Sequence, residues 1–468
     1  MIPYIPRQIS NYLTVTYLIA IVLISIIFMD YSMSIQYMVM GCCFVGGFAL
    51  FMHTWSRDWS DISPRMFTGY LLGVAILLRL AWVISSYYYY ISVTGMPFEI
   101  DAADAIGYHN EAAWLASEPW STAWRYYFGE GTKGVSDVGY PLYLTALYKI
   151  TGPVIIIPRI IKAILGAWTC LLIYRLAGRT FGEQVGRMAG IMCVLMPNLI
   201  IYCGYHLKET EMIFLTVAFL ERTDLLLRSR WFQFWNIILP TLLAGILFFF
   251  RTFLGMAAML ALFCGVLLST APTMKRGGRR TAIIVWAVLC LLASSGSVVM
   301  NEIEENWGQR EKNVVKKRQA QENAGIRWAK YATGTVMAPM AVALPFSTMI
   351  DVDNQVAQQT KHGGNFIRNF MAFFALLGIF ESFRQRKWRD FSLIGAYVVA
   401  YLAAVSISGF SNSERFLLPA LPGLIMMWAY GISQLRDKTY RLLTPWCVIV
   451  VLMEIGWAFF KLGSRSLL

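Results

Sequence analysis

The chain has 468 residues, of which 57% are hydrophobic and 14% charged, and its formal charge is +13. Soluble domains carry about 45–50% apolar and about 25% charged residues, so this composition excludes a soluble enzyme, a disordered chain and a disulfide scaffold. The mean hydropathy is positive, and the basic excess flanks apolar runs, which points to a membrane rather than to nucleic acid.

Taken in chain order, apolar runs predict thirteen spans, at 11–29, 31–52, 66–91, 153–174, 188–205, 210–227, 236–250, 252–272, 281–300, 366–381, 391–409, 416–432 and 444–462. A span takes roughly 20 residues, so the expected fold is an all-α polytopic membrane protein. The first run is long enough to span and no small-residue cleavage site follows it, so it reads as a helix and not as a secretory signal. The break at Arg251 is weak. The stretch 138–150 is apolar but short, and reads as an amphipathic or re-entrant helix at the interface. All eight cysteines lie in apolar runs, with no C-x-x-C pair; they read as small core hydrophobes.

Lys and Arg set the orientation. Arg57, Arg65, Arg175, Arg179, Arg187, Arg228, Arg230, Lys275, Arg276, Arg279, Arg280, Arg384, Arg386, Lys387, Arg389, Arg436, Lys438 and Arg441 fall in one set of alternate short loops. The other set holds only Lys208, Arg251 and Arg415. Positive charge collects on the cytoplasmic side, so the N-terminus is expected inside and two long loops, 92–152 and 301–365, outside. The chain then divides into an N-terminal hairpin (1–65), a core with the first outer loop (66–300), the second outer loop (301–365) and C-terminal helices (366–468). The second loop carries a mixed-charge run from Glu302 to Arg318 that looks like a solvated helix.

The polar residues without an evident structural task gather on the outer side. Asp101, Asp104 and Tyr108 have spacings that put them on one helical face; Asp at a helix start is also a cap. A carboxylate pair just outside a span, beside a loop rich in aromatics, is where an extracytoplasmic general base would stand. His109 lies next to this pair and reads mainly as a hydrogen-bonded structural residue. The turn from Tyr205 to Glu211 contains His206, Lys208, Glu209 and Glu211. It offers either a surface pair of Lys208 with Glu209 or Glu211, or a second carboxylate facing the first cluster. Arg415, Arg251, Arg159 and Lys162 stand at outer ends of spans, where positive charge is disfavoured unless an anion needs it. An arginine fork suits phosphate oxygens; an anchor role competes for each, above all for Lys162. For Arg415 an ion pair to Glu414 or Glu209 is a third reading. Trp114, Trp120, Trp124, Tyr126 and Tyr127 could roof a sugar or form an interfacial belt. Asp351-Val352-Asp353 is a weak divalent-ion candidate and a turn explains it more simply; no metal site is expected, and four histidines without a close pair argue against zinc. There is no P-loop and no dinucleotide fingerprint, so energy must arrive with an activated donor.

Three segments in order resemble the GT-C glycosyltransferases over roughly residues 66–435: Asp104-x-x-x-Tyr108-x-x-x-Ala112, Gly139-Tyr140-Pro141-Leu142-Tyr143, and Arg415-Phe416-Leu417-Leu418-Pro419-Ala420-Leu421-Pro422. The likeness is nearest to protein mannosyltransferases and lipid A aminoarabinose transferases. It implies a polyprenyl-phosphate-sugar donor, a glycan, lipid or protein acceptor, and inverting transfer outside the membrane; no cofactor is certain, and a divalent cation is not indicated. Asp104 best matches the family's base, and Glu209 its second acidic residue, with Glu211 left open. The extra hairpin before the motif and the order Lys208-Glu209-Thr210-Glu211 depart from the pattern. Absence of outer-loop cysteines and of N-x-[ST] sequons favours a bacterial inner membrane. A polysaccharide polymerase or ligase using lipid pyrophosphates is the alternative enzyme. A lipid-linked sugar flippase is the alternative from another class, but charges sit at outer ends and not at mid-membrane.

Overall fold

The computed structural model describes residues 3–129, 136–229, 234–268, 281, 283–286, 343, 345–352, 355–407 and 413–463. Most of the expected span 281–300, most of the second outer loop with its run from Glu302 to Arg318, Asp353, and the basic residues Arg230, Lys275, Arg276, Arg279 and Arg280 lie outside the described residues.

Among the described residues the chain is helical, with one isolated antiparallel bridge between Ser32 and Ile350. The helices used below are α1 (Arg7–Ile27), α2 (Ile35–Asp58), α3 (Pro64–Thr94), α4 (Ala103–Ser117), α5 (Trp120–Phe128), α6 (Gly139–Thr151), α7 (Ile156–Phe181), α8 (Glu183–Leu195), α9 (Pro197–Ile201), α10 (Glu209–Arg228), α11 (Phe234–Phe250), α12 (Thr252–Leu268), α13 (His362–Arg384), α14 (Ser392–Ile407), α15 (Glu414–Leu417), α16 (Leu421–Ser433) and α17 (Leu443–Gly463). Among the described residues, seven stretches of helix are long and apolar enough to cross a membrane, including α1, α2, α3, α7 and α13. Helices α11, α12 and α14 are apolar but shorter. Among the described residues, then, not every expected span reappears as a full-length helix.

Local chemistry explains the boundaries. At the start of α3, Ser63 Oγ accepts from the Met66 N–H at 3.3 Å and Pro64 follows it, while Gly95 closes the helix with φ 73°. Ser-Pro at the front and Gly at the back is the expected asymmetry of helix ends. The expected span 188–205 is not one helix. Its α8 stops at Leu195, Met196 is extended, and the five-residue α9 starts at Pro197. Proline lacks an N–H and disfavours the helical region for the residue before it. The chain then turns through 202–208 into α10. Arg251 does interrupt the α11–α12 pair.

Helix α6 is amphipathic as expected. It buries Tyr140, Pro141, Leu144, Thr145 and Tyr148, at spacings of one helical face, and packs on α4. Close approach is built in where needed. A Cβ on Gly139 would meet the Phe250 ring at 2.6 Å, and one on Gly378 would meet the Met427 carbonyl at 2.8 Å. The first glycine lets α6 start against the α11–α12 break; the second lets α13 lie on α16. The bundle thus has two ends. One carries α4–α6, the 202–208 turn, the start of α13 and α15. The other carries the ends of α7, α10, α13 and α16.

Candidate functional site

The end that carries α4–α6 brings together groups far apart in sequence. Asp104 lies in the first turn of α4 and Glu209 in the first turn of α10. Arg415, in α15, joins them: its Nε donates to Glu209 Oε1 and its Nη1 to Asp104 Oδ2. The two acids differ in exposure. The Asp104 side chain is 60% exposed, and that of Glu209 is fully buried. A buried carboxylate needs a paired cation, so Glu209 holds Arg415 in place, and Arg415 holds Asp104 where solvent and a substrate can reach it. Of the readings open for Arg415, the ion pair to Glu209 is realised and Asp104 is added to it. Glu414 is not its partner.

Glu414 faces the other way, into the bundle. Asn198 Nδ2 donates to its Oε1, Lys361 Nζ lies 3.4 Å from its Oε2, and Asn198 also donates to Asn365 Oδ1 at 3.0 Å. This buried set fixes the backbone that carries Arg415. Asn198 and Lys361 were not singled out from sequence, and Glu414 stood there only as a possible partner of Arg415. Asn198 had a signal, being an amide inside an apolar run.

Lys208 is buried but does not pair with Glu209 or Glu211, contrary to the surface-pair reading. Its Nζ donates to Asp137 Oδ1 and, at 3.4 Å, to the Phe250 carbonyl. Burial pushes the Lys208 ammonium down to about 8, with Asp137 opposing the shift. Partial desolvation by the surrounding protein would raise the half-exposed Asp137 carboxyl, but Lys208 and Arg251 hold it below the usual carboxylate range. Asp137 was missed because a Ser-Asp pair in a loop carries no signal of its partner. The Lys208 ammonium also lies 6.0 Å from the Tyr108 ring centroid. Tyr108 meets Tyr140 edge-on at 5.3 Å. Arg251 sits at the α11–α12 break with its guanidinium 4.4 Å from the Phe416 ring centroid.

Glu211 is separated from this group. It lies against Lys162, with Nζ 3.7 Å from Oε2. Lys162 is no snorkelling anchor: it is buried, and its ammonium donates to the carbonyls of Tyr205 and Leu207, which pins the 202–208 turn. Arg159 is likewise buried beside Glu99, at 3.8 Å, and donates to the Pro97 carbonyl. His109 Nδ1 and His206 Nε2 both bond the Tyr148 hydroxyl, at 3.0 and 3.3 Å. Burial lowers both imidazoles, His206 strongly, with Lys162 and Arg159 adding to it. Both histidines are then neutral and positional.

Asp101 departs from the expected face. Helix α4 starts at Ala103, and Asp101 precedes it with φ 64°, in the left-handed region. Nor is it the cap: that position is Ala102, without a side-chain bond. The left-handed turn swings Asp101 off the helix, so only Asp104 and Tyr108 share it. Trp114, Trp120, Trp124 and Tyr126 are exposed, whereas Tyr127 is buried and roofs nothing. Asp351 accepts from Gln359 Nε2 at 2.7 Å and its N–H donates to the Tyr31 carbonyl, a structural task. Among the described residues no cluster of His, Cys, Asp and Glu could hold a metal ion.

No family model matches the chain, and no curated protein sequence does. Solved structures of the archaeal oligosaccharyltransferase of Archaeoglobus fulgidus are similar to it. The apo form is 16% identical with a TM-score of 0.47, covering 85% of this chain and 54% of that one. The complex with an inhibitory peptide and a dolichol-phosphate is 13% identical, with a TM-score of 0.45 over 86% of this chain and 56% of that one. The form tethered with an acceptor peptide containing the NVT sequon is 15% identical, at 0.45 over 86% and 54%. The chain spans about half the length of these proteins.

Proposed function

We propose that this chain is a GT-C-type membrane glycosyltransferase. It moves a sugar from a polyprenyl-phosphate carrier to an acceptor on the extracytoplasmic face of a bacterial inner membrane, with inversion at the anomeric carbon. The observation that carries this reading is the trio of Asp104, Arg415 and Glu209: a reachable carboxylate held by an arginine that a buried carboxylate fixes. The side is argued from charge. Arg57, Arg65, Arg179, Arg384, Arg386, Lys387 and Arg389 stand towards the far end of the bundle, and positive charge marks the cytoplasmic side.

The chemistry needs little else. The donor's anomeric C–O bond to phosphate breaks, and the phosphate leaves with the electron pair. The acceptor oxygen forms the new bond to that carbon, and its proton passes to Asp104. Such proton removal contributes typically ~10²–10⁴-fold. Lys208 and Arg251 stabilise the charge left on the phosphate. Glu209 is a positioning residue, acting through Arg415. Arg159 and Glu211 brace the first loop and the turn behind the site, as do His109 and His206. Lipid groups at the membrane accommodate the carrier's tail.

The test is to incubate purified protein with a panel of radiolabelled polyprenyl-phospho-sugars and polyprenyl-pyrophospho-glycans. Consumption of a monophosphate-linked sugar, with inverted product, is the expected outcome. Consumption of pyrophosphate donors alone would assign a polymerase or ligase. Energised movement of intact lipid-linked sugar without cleavage would assign a flippase.

A further inference from the structure

The seat expected for the donor's phosphate already holds an anion that belongs to the protein. Lys208 is 1% exposed, yet its carboxylate partner, Asp137, has a side chain 58% exposed on a connecting segment. Arg251 is buried and close enough for its charge to act on both Asp137 and Lys208, and among the described residues its Nη1 has no hydrogen-bond partner. Arg415 cannot serve a phosphate in the same way, because Nε and Nη1 are taken by Glu209 and Asp104. Asp137 is delivered by a defined backbone: its φ is 67°, and the neighbouring Ser136 Oγ accepts from the Thr252 N–H at 3.4 Å. The segment is thus fastened to the α11–α12 break, next to both cations.

We propose that Asp137 is a tethered stand-in for the substrate's phosphate, paired with Lys208 beside Arg251 between turnovers and returning to expel the spent carrier. This rests on the reading of the donor as a lipid phosphate. A buried cation left without an anion is costly, so either Asp137 or a phosphate must sit there. The donor is a phosphodiester with one negative charge. The departing carrier is a phosphomonoester with up to two, which binds two cations more strongly. Product release is therefore the step that a competing carboxylate helps. No bond is made or broken in the exchange: one anion leaves the cations as another arrives.

The experiment measures binding of a short-chain polyprenyl monophosphate to the full-length protein in detergent, comparing wild type with Asp137→Asn and Asp137→Ala. Inorganic phosphate and the uncharged polyprenol serve as separate probes. Both variants are expected to bind the lipid phosphate at least about tenfold more tightly, since a like charge has left the seat. They are also expected to release labelled carrier more slowly after one turnover. Polyprenol affinity stays unchanged. Added lipid phosphate should raise the melting temperature of Asp137→Asn by more than that of wild type, which keeps the test readable if the variant is less stable. Inorganic phosphate alone showing the same gain would place recognition in the headgroup and not the tail, still in support. Equal or weaker lipid-phosphate binding by the variants overturns the stand-in and makes Asp137 an orienting partner of Lys208. If wild type and variants alike bind no lipid monophosphate, the donor reading fails and this inference with it.

Discussion

The two ends of the bundle use the same kinds of charge in opposite ways. At the far end the acids are buried and their cations exposed. Glu221 and Asp224 are held by Arg179 at 2.9 Å each, Asp224 also by Arg228 at 2.7 Å, and Glu381 by Arg384 at 3.2 Å. Those arginine side chains are between 27% and 46% exposed. At the other end Lys208 is buried while Asp137 and Asp104 face solvent. Arg187 with Glu183 is the exception at the far end: the arginine is buried and its Nε pairs at 2.9 Å with a carboxylate 46% exposed, but it spends its Nη1 on the carbonyls of Trp59 and Ser60, at 2.7 and 3.0 Å. Exposed cations over buried acids clip helices together and leave nothing for a ligand. Buried cations behind exposed acids point a positive field outward and keep carboxylates where a substrate can meet them. The difference is why only one end reads as a site.

The contrast can be broken by mutation. The largest effect is expected from Arg415→Ala, which leaves Glu209 buried without its cation. Loss of one partner of a buried pair costs about 3–5 kcal/mol, so thermal unfolding should shift strongly downward and transfer should disappear. A stable, active Arg415→Ala protein would mean that the trio is ornamental.

Next, Asp104→Asn is expected to cut transfer at least ~10²-fold while melting behaviour stays close to wild type, because the side chain is largely exposed. Turnover equal to wild type with the natural acceptor would remove Asp104 from the role of base.

A pH profile sharpens the role of Lys208. Its ammonium has been lowered to about 8 from 10.5. Between those two values the unfolded chain binds the proton that the folded protein has lost, so this group makes the folded state more stable as pH rises through that window. Phosphate binding goes the other way, since it needs the ammonium. The kcat/KM for a lipid-phosphate donor should therefore fall above about pH 8 even though the protein does not unfold. Persistence of full kcat/KM to pH 10 would place the phosphate elsewhere.

The smallest effect is expected at the far end. Arg384→Ala removes an exposed member of an i,i+3 pair; Glu381 keeps Gln385 Nε2 at 3.1 Å as a donor. Glu381 is buried but keeps Arg436 Nη2 at 3.9 Å as a second cation. The loss should therefore stay near that of an exposed pair, about 0.2–1 kcal/mol; melting temperature should move slightly and transfer not at all. A transfer defect there would erase the distinction between the two ends.

Much of this was legible in the chain. Long apolar runs predict helices because buried backbone in lipid must bond within its own segment, and α1, α2, α3, α7 and α13 each cover the body of a run, with α2 and α7 running on well past its end. The Ser63-Pro64 start and the Gly95 stop of α3 are local signals. So is the break at Met196-Pro197, which the hydropathy run obscured. Asp104, the turn from Tyr205 to Glu211 and Arg415 stood out because charge beside an apolar run is costly.

Partnership is a different kind of information. Arg415 meets Asp104 across 311 residues of chain and Glu209 across 206, and no local pattern encodes either contact. Glu209 and Glu211 are two residues apart on α10, so their side chains leave the helix about 200° apart. That rotation sends one to Arg415 and the other to Lys162. Asp137 reaches Lys208 only because Gly139 lets α6 begin against Phe250 and the segment before it crosses the α11–α12 break. By itself the sequence determined which segments are helical and which charges are anomalous, since both follow from short-range energetics of backbone bonding and burial. Which anomalous charges neutralise one another, and which remain open to a ligand, was decided by the tertiary structure, because ion pairing depends on distances of a few ångströms that only the packing of remote helices sets.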